Sequence, residues 1–205
     1  MKIKIIPFLL LLSLMTSSCC GTLATAKKRY ELTPNQKLQS QWTFSPKEWQ
    51  LTKDTLKGSG GPMHWSVIES RKKLPKNFQI DFKVNMTYES LFEVMLNIDK
   101  EKYIRTYLYQ IDQNIVIGRG VYHKKSDEYD KRGGPTLFKK PIKLENNKWY
   151  TVQIKVLNNQ LFFSVNNETF LECSLEKSNL SQKGKLGFIT NGKAEITDLT
   201  IKNIP

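Results

Sequence analysis

The last quarter of the chain alternates apolar and polar residues with a period of two, and this pattern constrains the fold more than any other feature. The alternating runs cover residues 147–156, 161–168, 184–190 and 194–201. Asparagine pairs at 158–159 and 166–167 separate the first runs, where tight turns between antiparallel strands are expected. The pattern predicts consecutive β-hairpins, so the search for function moves to the first two thirds of the chain.

Short strand candidates continue through the rest of the chain. Residues 78–84 and 91–98 alternate cleanly, and 103–109 with 115–120 complete a meander. The alternation predicts that the apolar residues of the first two runs face inward: Phe78, Ile80, Phe82 and Val84, and Phe92, Val94, Leu96 and Ile98. We find no long helical pattern and no repeat with a fixed period. A length of 205 residues suits a single all-β domain. About a dozen short strands with turns between them predict an all-β, two-sheet sandwich or jelly roll.

Residues 1–18 have the pattern of an export signal. Lys2 and Lys4 precede an apolar run at 5–15, and small residues follow at 16–18. The apolar run is too short to span a bilayer stably. We therefore predict a signal peptide over 1–18, a flexible tether over 19–37 and a jelly-roll domain over 38–205.

Cys19 follows the small residues directly, as the lipidated cysteine does in the lipobox of bacterial lipoproteins. This pattern predicts lipidation of Cys19 and a membrane-anchored lipoprotein of the bacterial cell envelope. The alternative is ordinary cleavage at the Ala-Thr-Ala sequence of residues 24–26, which would leave a periplasmic or secreted protein.

The formal net charge is +13, of which Lys2 and Lys4 contribute two. In an exported protein, this charge points to polyanions such as acidic polysaccharide, lipid headgroups or cell-wall polymers and away from nucleic acid. The alternative is that scattered lysines are ordinary surface residues.

Cysteine and histidine usage predicts neither a metal site nor a cofactor. Cys173 is the one cysteine in the folded body, and its strand position predicts a buried thiol. Asp127, Glu128 and Asp130 form an acidic cluster that could ligate calcium, but it lacks an ordered spacing of ligands.

A series of motifs resembles the concanavalin-like jelly rolls, the superfamily that includes LamG and glucanase domains. The motifs are Trp49-x-Leu51, Leu56-x-Gly58, residues 65–69 and 78–84, Lys148-Trp149-Tyr150, residues 163–167, Gly184-x-Leu186-Gly187-Phe188 and Asp198-Leu199-x-Ile201. More narrowly, residues 40–204 resemble the bacterial 3-keto-disaccharide hydrolase domain family, which is frequent in exported proteins and lipoproteins. The resemblance implies a protein that binds or cleaves glycans on its concave sheet.

Strand alternation places a polar and aromatic set of side chains on one face. The predicted carbohydrate-binding residues are Trp65, Asn97, Arg105, Tyr107 and Tyr109, with His123 near the mouth of the long loop. Aromatic rings stack on the apolar face of a pyranose, and planar polar groups bind adjacent hydroxyls. Cross-strand pairs on a solvated sheet would explain the same residues without a ligand.

Glu69 and Glu93 share this face and are the candidate acid and base of a glycosidase. Three hypotheses follow: an exported carbohydrate-binding jelly roll, a glycoside-acting hydrolase of the 3-keto-disaccharide type, and a structural protein of the cell envelope. Carbohydrate, acidic glycans included, is the predicted partner, together with a membrane reached through the lipid anchor.

Overall fold

The computed structural model describes residues 28–31, 38–61, 64–87, 90–123 and 132–205. Most of them lie in two antiparallel sheets that pack face to face, and this confirms the predicted two-sheet sandwich. One short helix, α1 (Leu38–Gln41), precedes the second strand. Within these ranges no helix is long and apolar enough to cross a membrane.

Sheet A contains eight strands, in the spatial order β14-β13-β12-β6-β16-β4-β3 with β1 beside β16. Their bounds are β1 (Lys28–Glu31), β3 (Trp49–Thr52), β4 (Thr55–Ser59), β6 (Phe78–Thr87), β12 (Trp149–Leu157), β13 (Gln160–Val165), β14 (Thr169–Ser174) and β16 (Lys193–Asn203).

Sheet B also contains eight strands, in the order β10-β9-β8-β7-β15-β5-β2 with β11 beside β9. Their bounds are β2 (Trp42–Phe44), β5 (Ser66–Lys73), β7 (Leu91–Asp99), β8 (Lys102–Tyr109), β9 (Asn114–Tyr122), β10 (Arg132–Gly133), β11 (Thr136–Pro141) and β15 (Lys185–Thr190).

The asparagine pairs form the predicted hairpin turns. Asn158 and Asn159 have φ angles of 49° and 62°, and Leu157 pairs with Gln160 across them. A two-residue loop with both φ angles positive matches the right-handed twist of the flanking strands. Asn166 and Asn167 also have positive φ, between β13 and β14.

The register of β6 follows from its alternation. Phe78, Ile80, Phe82 and Val84 are buried at 2% exposure or less, while the intervening side chains lie on the other face. The Phe82 ring packs edge-on against Phe92 and Phe188 of sheet B, at centroid distances of 5.8 and 6.0 Å. These contacts join the two sheets, because each ring belongs to the inner face of its own strand.

The outer face of sheet B is also largely buried and forms a second apolar cluster. Its buried members are Trp65, Leu91, Met95, Ile98, Tyr103, Tyr107, Val116 and Ile189. Strand β7 is therefore buried at each position from Leu91 to Ile98. The predicted inward orientation of Ile98 is wrong, because the pairing of β7 shifts between Leu96 and Asp99 and reverses the alternation there.

The N-terminal region is described only in part. Lys28–Glu31, within the predicted tether of 19–37, forms β1 and pairs with β16. The rest of that range and the predicted signal peptide lie outside the described residues. Cys173 is 7% exposed, which confirms the predicted buried thiol, and burial raises its pKa.

Candidate functional site

A buried ion pair lies at the centre of the outer face of sheet B. Nε and Nη2 of Arg105 on β8 both donate to Oε2 of Glu93 on β7, at 2.9 and 2.8 Å. The Glu93 side chain is 0% exposed and that of Arg105 is 9% exposed. Nη1 of Arg105 donates to the carbonyl of Gly134 at 2.8 Å. Three guanidinium nitrogens are thus already engaged by the protein.

The electrostatics keep this guanidinium charged. Burial by itself disfavours the charged form of Arg105, but the Glu93 carboxylate and its hydrogen bonds outweigh that effect and raise the pKa of Arg105. The guanidinium carbon also lies 4.6 Å from the centroid of the Tyr107 ring, a cation–π contact. Oε1 of Glu93 is buried and accepts no hydrogen bond from the described residues.

Two glycines on β9 make room above this pair. Gly120 pairs with Tyr103 and Gly118 with Arg105. A Cβ at Gly120 would overlap the Tyr103 ring, and a Cβ at Gly118 would lie 2.6 Å from the Pro135 carbonyl oxygen. Residues 133–136, here called the strap, can therefore cross the face closely, and Arg105 binds the strap at Gly134.

Beside the strap is a cavity of about 340 Å³, which we call the face pocket. Its walls come from β8, β9, β11 and the β8–β9 turn, with Tyr107, Asp112, Asn114, Val116, Thr136, Leu137 and Lys139 as lining residues. Nδ2 of Asn114 donates to the Asp112 carbonyl at 3.1 Å. Its Oδ1 is buried and has no partner among the described residues.

The structure brings part of the predicted site together and separates the rest. Glu93 pairs in register with Tyr107, next to Arg105. Trp65 and Tyr109 pack in the apolar cluster at one end of the face. Glu69 on β5 accepts from Nζ of Lys185 at 3.0 Å.

Asn97 and His123 lie away from the face pocket. Asn97 sits at the irregularity of β7 with φ 54° and donates to the Ser181 carbonyl at 2.9 Å, in the β14–β15 connection. His123 follows β9 and contacts Oε2 of Glu101 through Nδ1 at 3.0 Å. Neither side chain is among those that line the face pocket.

Glu69 and Glu93 are two strands apart, with β15 between them. Glu69 is level with Gly187, whereas Glu93 is level with Ile189. Neighbouring strands are about 4.8 Å apart, so the two backbones lie about 10 Å apart across the sheet. Each carboxylate contacts its own cation, Lys185 or Arg105.

The face pocket contains residues that the sequence interpretation did not select. Asn114 and Lys139 project to this face because β9 and β11 pair in register there. The spacing of Gly118 and Gly120, two residues apart on one strand and opposite Arg105 and Tyr103, could have indicated it. Glycines on one face of a strand often mark the close approach of another backbone segment.

Metal coordination has no support in the described ranges, where no three His, Cys, Asp or Glu side chains are arranged to hold an ion. The acidic cluster of residues 127, 128 and 130 lies outside the described residues.

The sheet order and the sandwich define a concanavalin-like jelly roll. A carbohydrate-binding module of Bacillus subtilis (CBM66) superposes with a TM-score of 0.62 at 12% identity, over 79% of this chain and 95% of that one. A Bacillus subtilis protein of unknown function with a galectin-like fold gives 0.62 at 13% identity, over 87% and 98%.

A Parabacteroides distasonis protein assigned provisionally as a glycosyl hydrolase gives a TM-score of 0.58 at 15% identity, over 81% of this chain and 89% of that one. No family model matches the chain, and no curated protein matches it in sequence. These comparisons show the fold and confirm the predicted jelly-roll sandwich.

Proposed function

We propose that this chain is an exported, lipid-anchored protein that binds carbohydrate on the outer face of sheet B, at the face pocket. The observation that carries the proposal is the pocket itself. An aromatic ring, a carboxylate and an ammonium group lie around a cavity of about 340 Å³. Binding pockets commonly occupy roughly 300–1,000 Å³ and combine apolar walls with a few polar groups.

The chemistry of the pocket suits a sugar ring. Tyr107 lines the pocket with an 8% exposed aromatic side chain, and aromatic rings contact the C–H face of a pyranose. The Asp112 carboxylate offers a bidentate acceptor for vicinal hydroxyls, and Lys139 offers a donor. Several similar structures are carbohydrate-binding or glycoside-acting proteins by description, which supports the same class of ligand.

Arg105 has a supporting role in this proposal. Its contacts with Glu93 and Gly134 leave it 9% exposed. The guanidinium therefore donates to protein groups and not, as the sequence had suggested, to two sugar hydroxyls. Through Gly134 it holds the strap that carries Thr136, a wall residue of the face pocket.

The proposal predicts that Tyr107→Ala weakens binding of the sugar found on a glycan array. Loss of the ring contact should cost about 1 kcal/mol or more, which is roughly a fivefold rise in Kd, measured by calorimetry. Phe162→Ala is the matched control, because Phe162 is an exposed aromatic residue on β13 of the other sheet. Equal binding by wild type and Tyr107→Ala would place the site elsewhere.

A hydrolase remains the alternative of a different class. It requires that Glu69 act on the bound sugar, because the Glu93 side chain is 0% exposed and bound to Arg105. Glu69→Gln should then abolish turnover of an array ligand while binding persists. Binding without turnover in the wild type would exclude the hydrolase and support the carbohydrate-binding module. Absence of any ligand on the array would favour the structural envelope protein.

A further inference from the structure

A second cavity, of about 730 Å³, opens at the end of the sandwich away from Trp65. We call it the end pocket. Its walls come from three separate parts of the chain: the β7–β8 turn at 99–102, strand β9 at 119–121 and the β14–β15 connection at 179–181, with Tyr103 and Pro135 completing it. Pro135 belongs to the strap, so the strap contributes to both cavities, the end pocket through Pro135 and the face pocket through Thr136.

The walls of the end pocket are held in place by the fold. Nε and Nη2 of Arg119 donate to the carbonyl of Ser178 at 3.3 and 3.0 Å. The backbone N–H of Arg119 donates to Pro135 at 3.0 Å, and buried Asn97 donates to Ser181 at 2.9 Å. The pocket is therefore formed before a ligand arrives, which lowers the entropic cost of binding.

The charged groups of the end pocket favour an anion. Lys100, Lys102 and Arg119 line it together with Asp99 and Glu101. Glu101 accepts from His123 at 3.0 Å. Within the described part of the chain, the ammonium groups of Lys100 and Lys102 form no ion pair. Nη1 of Arg119 is not used by the contacts to Ser178, so this planar group can still donate to a carboxylate.

The remaining lining suits a sugar. Leu180, Pro135 and Val121 provide apolar surface, and Asn179 and Ser181 on either side of Leu180 add polar groups. We infer that the end pocket binds a uronic acid unit of a glycan, with Arg119 and Lys102 on the carboxylate and the ring against the apolar wall. This inference rests on the proposed carbohydrate-binding function and adds a second, charge-selective site to it.

The test compares acidic oligosaccharides with neutral counterparts of the same length. The probes are oligomers of galacturonate, glucuronate and mannuronate, each paired with its methyl ester. The readout is the ratio of the ester Kd to the acid Kd, measured by calorimetry. We expect at least one acid to bind about tenfold or more tightly than its ester, since a charge-assisted contact contributes roughly 1.5–3 kcal/mol.

Two variants assign that preference to the end pocket. Arg119→Gln and Lys102→Gln should each lower this ratio several-fold. Arg119 holds the pocket wall through Ser178, so its replacement can also disturb the fold. The Lys102 side chain is exposed and makes no such contact, so Lys102→Gln tests the charge alone. Lys53→Gln, on the β3–β4 turn of sheet A, removes the same charge elsewhere and should leave the ratio unchanged.

The outcomes separate this inference from the proposed function. If esters bind through Tyr107 but no acid is preferred, the inference is overturned and the proposed function stands. If an acid is preferred and neither Arg119→Gln nor Lys102→Gln changes the ratio, the inference is also overturned. If no oligosaccharide of either kind binds, both fail.

Discussion

Arg105 is held on three sides by Glu93, Gly134 and the Tyr107 ring. Its partner Glu93 has no exposure to solvent, so the carboxylate depends on the guanidinium for compensation of its charge. Removal of one member of a buried pair leaves the other charge buried and unpaired, which is strongly destabilising. Arg105 therefore acts on the site through the stability of sheet B and through the position of the strap.

We predict that Arg105→Gln lowers the free energy of unfolding by about 3–5 kcal/mol. The double variant Arg105→Gln with Glu93→Gln should recover part of this loss, because no charge is then left unpaired. Urea denaturation of both variants measures the difference. An Arg105→Gln protein as stable as the wild type would mean that the pair does not hold the sheet.

Alternation in the sequence identified the strand and the face of Glu93, Arg105 and Tyr107, because a period of two places every second side chain on one side. It did not identify their contacts. Whether Arg105 reaches a sugar or a backbone carbonyl depends on the path of the strap, which is 29 residues further along the chain. Long-range placement of this kind is not encoded in a local pattern.

At the level of elements, β6 shows how far alternation alone reaches. Four of its inward residues, at 78, 80, 82 and 84, were predicted from spacing and are buried. Strand β7 shows the limit. The irregularity between Leu96 and Asp99 reverses the faces of Asn97 and Ile98, and nothing in the local sequence announces it. Such a bulge is set by pairing with both neighbours, where β15 shows a matching shift between Lys185 and Gly187.

We predict that Phe82→Ala lowers the free energy of unfolding by roughly 3–5 kcal/mol, as truncation of a large core aromatic residue does. Phe82 contacts two rings of the opposite sheet, so the cavity would lie at the junction of the sheets. Gln79→Ala, on the outer face of the same strand, should change stability far less. Equal shifts of the two melting curves would contradict the register.

A second element-level prediction concerns the glycine of β9 against Tyr103. Gly120→Ala should cost roughly 1–3 kcal/mol, since an added methyl group must displace a packed ring. Gly61→Ala is the control, because a Cβ there would meet nothing within 4 Å. Thermal unfolding compares the two, and a Gly120→Ala protein with the Gly61→Ala melting temperature would argue against the packed arrangement.

For the whole molecule, the expected location depends on residues 1–27, which lie outside the described residues. The pattern of Ser17-Ser18-Cys19 after an apolar run predicts a lipid anchor. We expect Cys19→Ala to move the protein from the membrane fraction to the soluble fraction. Immunoblotting of the two fractions measures this change. An intact mass that corresponds to a mature chain beginning at Lys27 would show ordinary cleavage instead.

Strand β7 is covered on both faces and paired on both edges, with β8 on one side and β15 on the other. Its amide hydrogens can reach water only when the sandwich opens as a whole, so their exchange with deuterium should report the global free energy of unfolding. The amides of exposed β11, at the edge of the same sheet, should exchange through local fraying and much faster. The strap leads into β11, so a ligand bound beside the strap should slow exchange at β11 more than elsewhere. Native-state hydrogen exchange could therefore locate the ligand before any complex is crystallised.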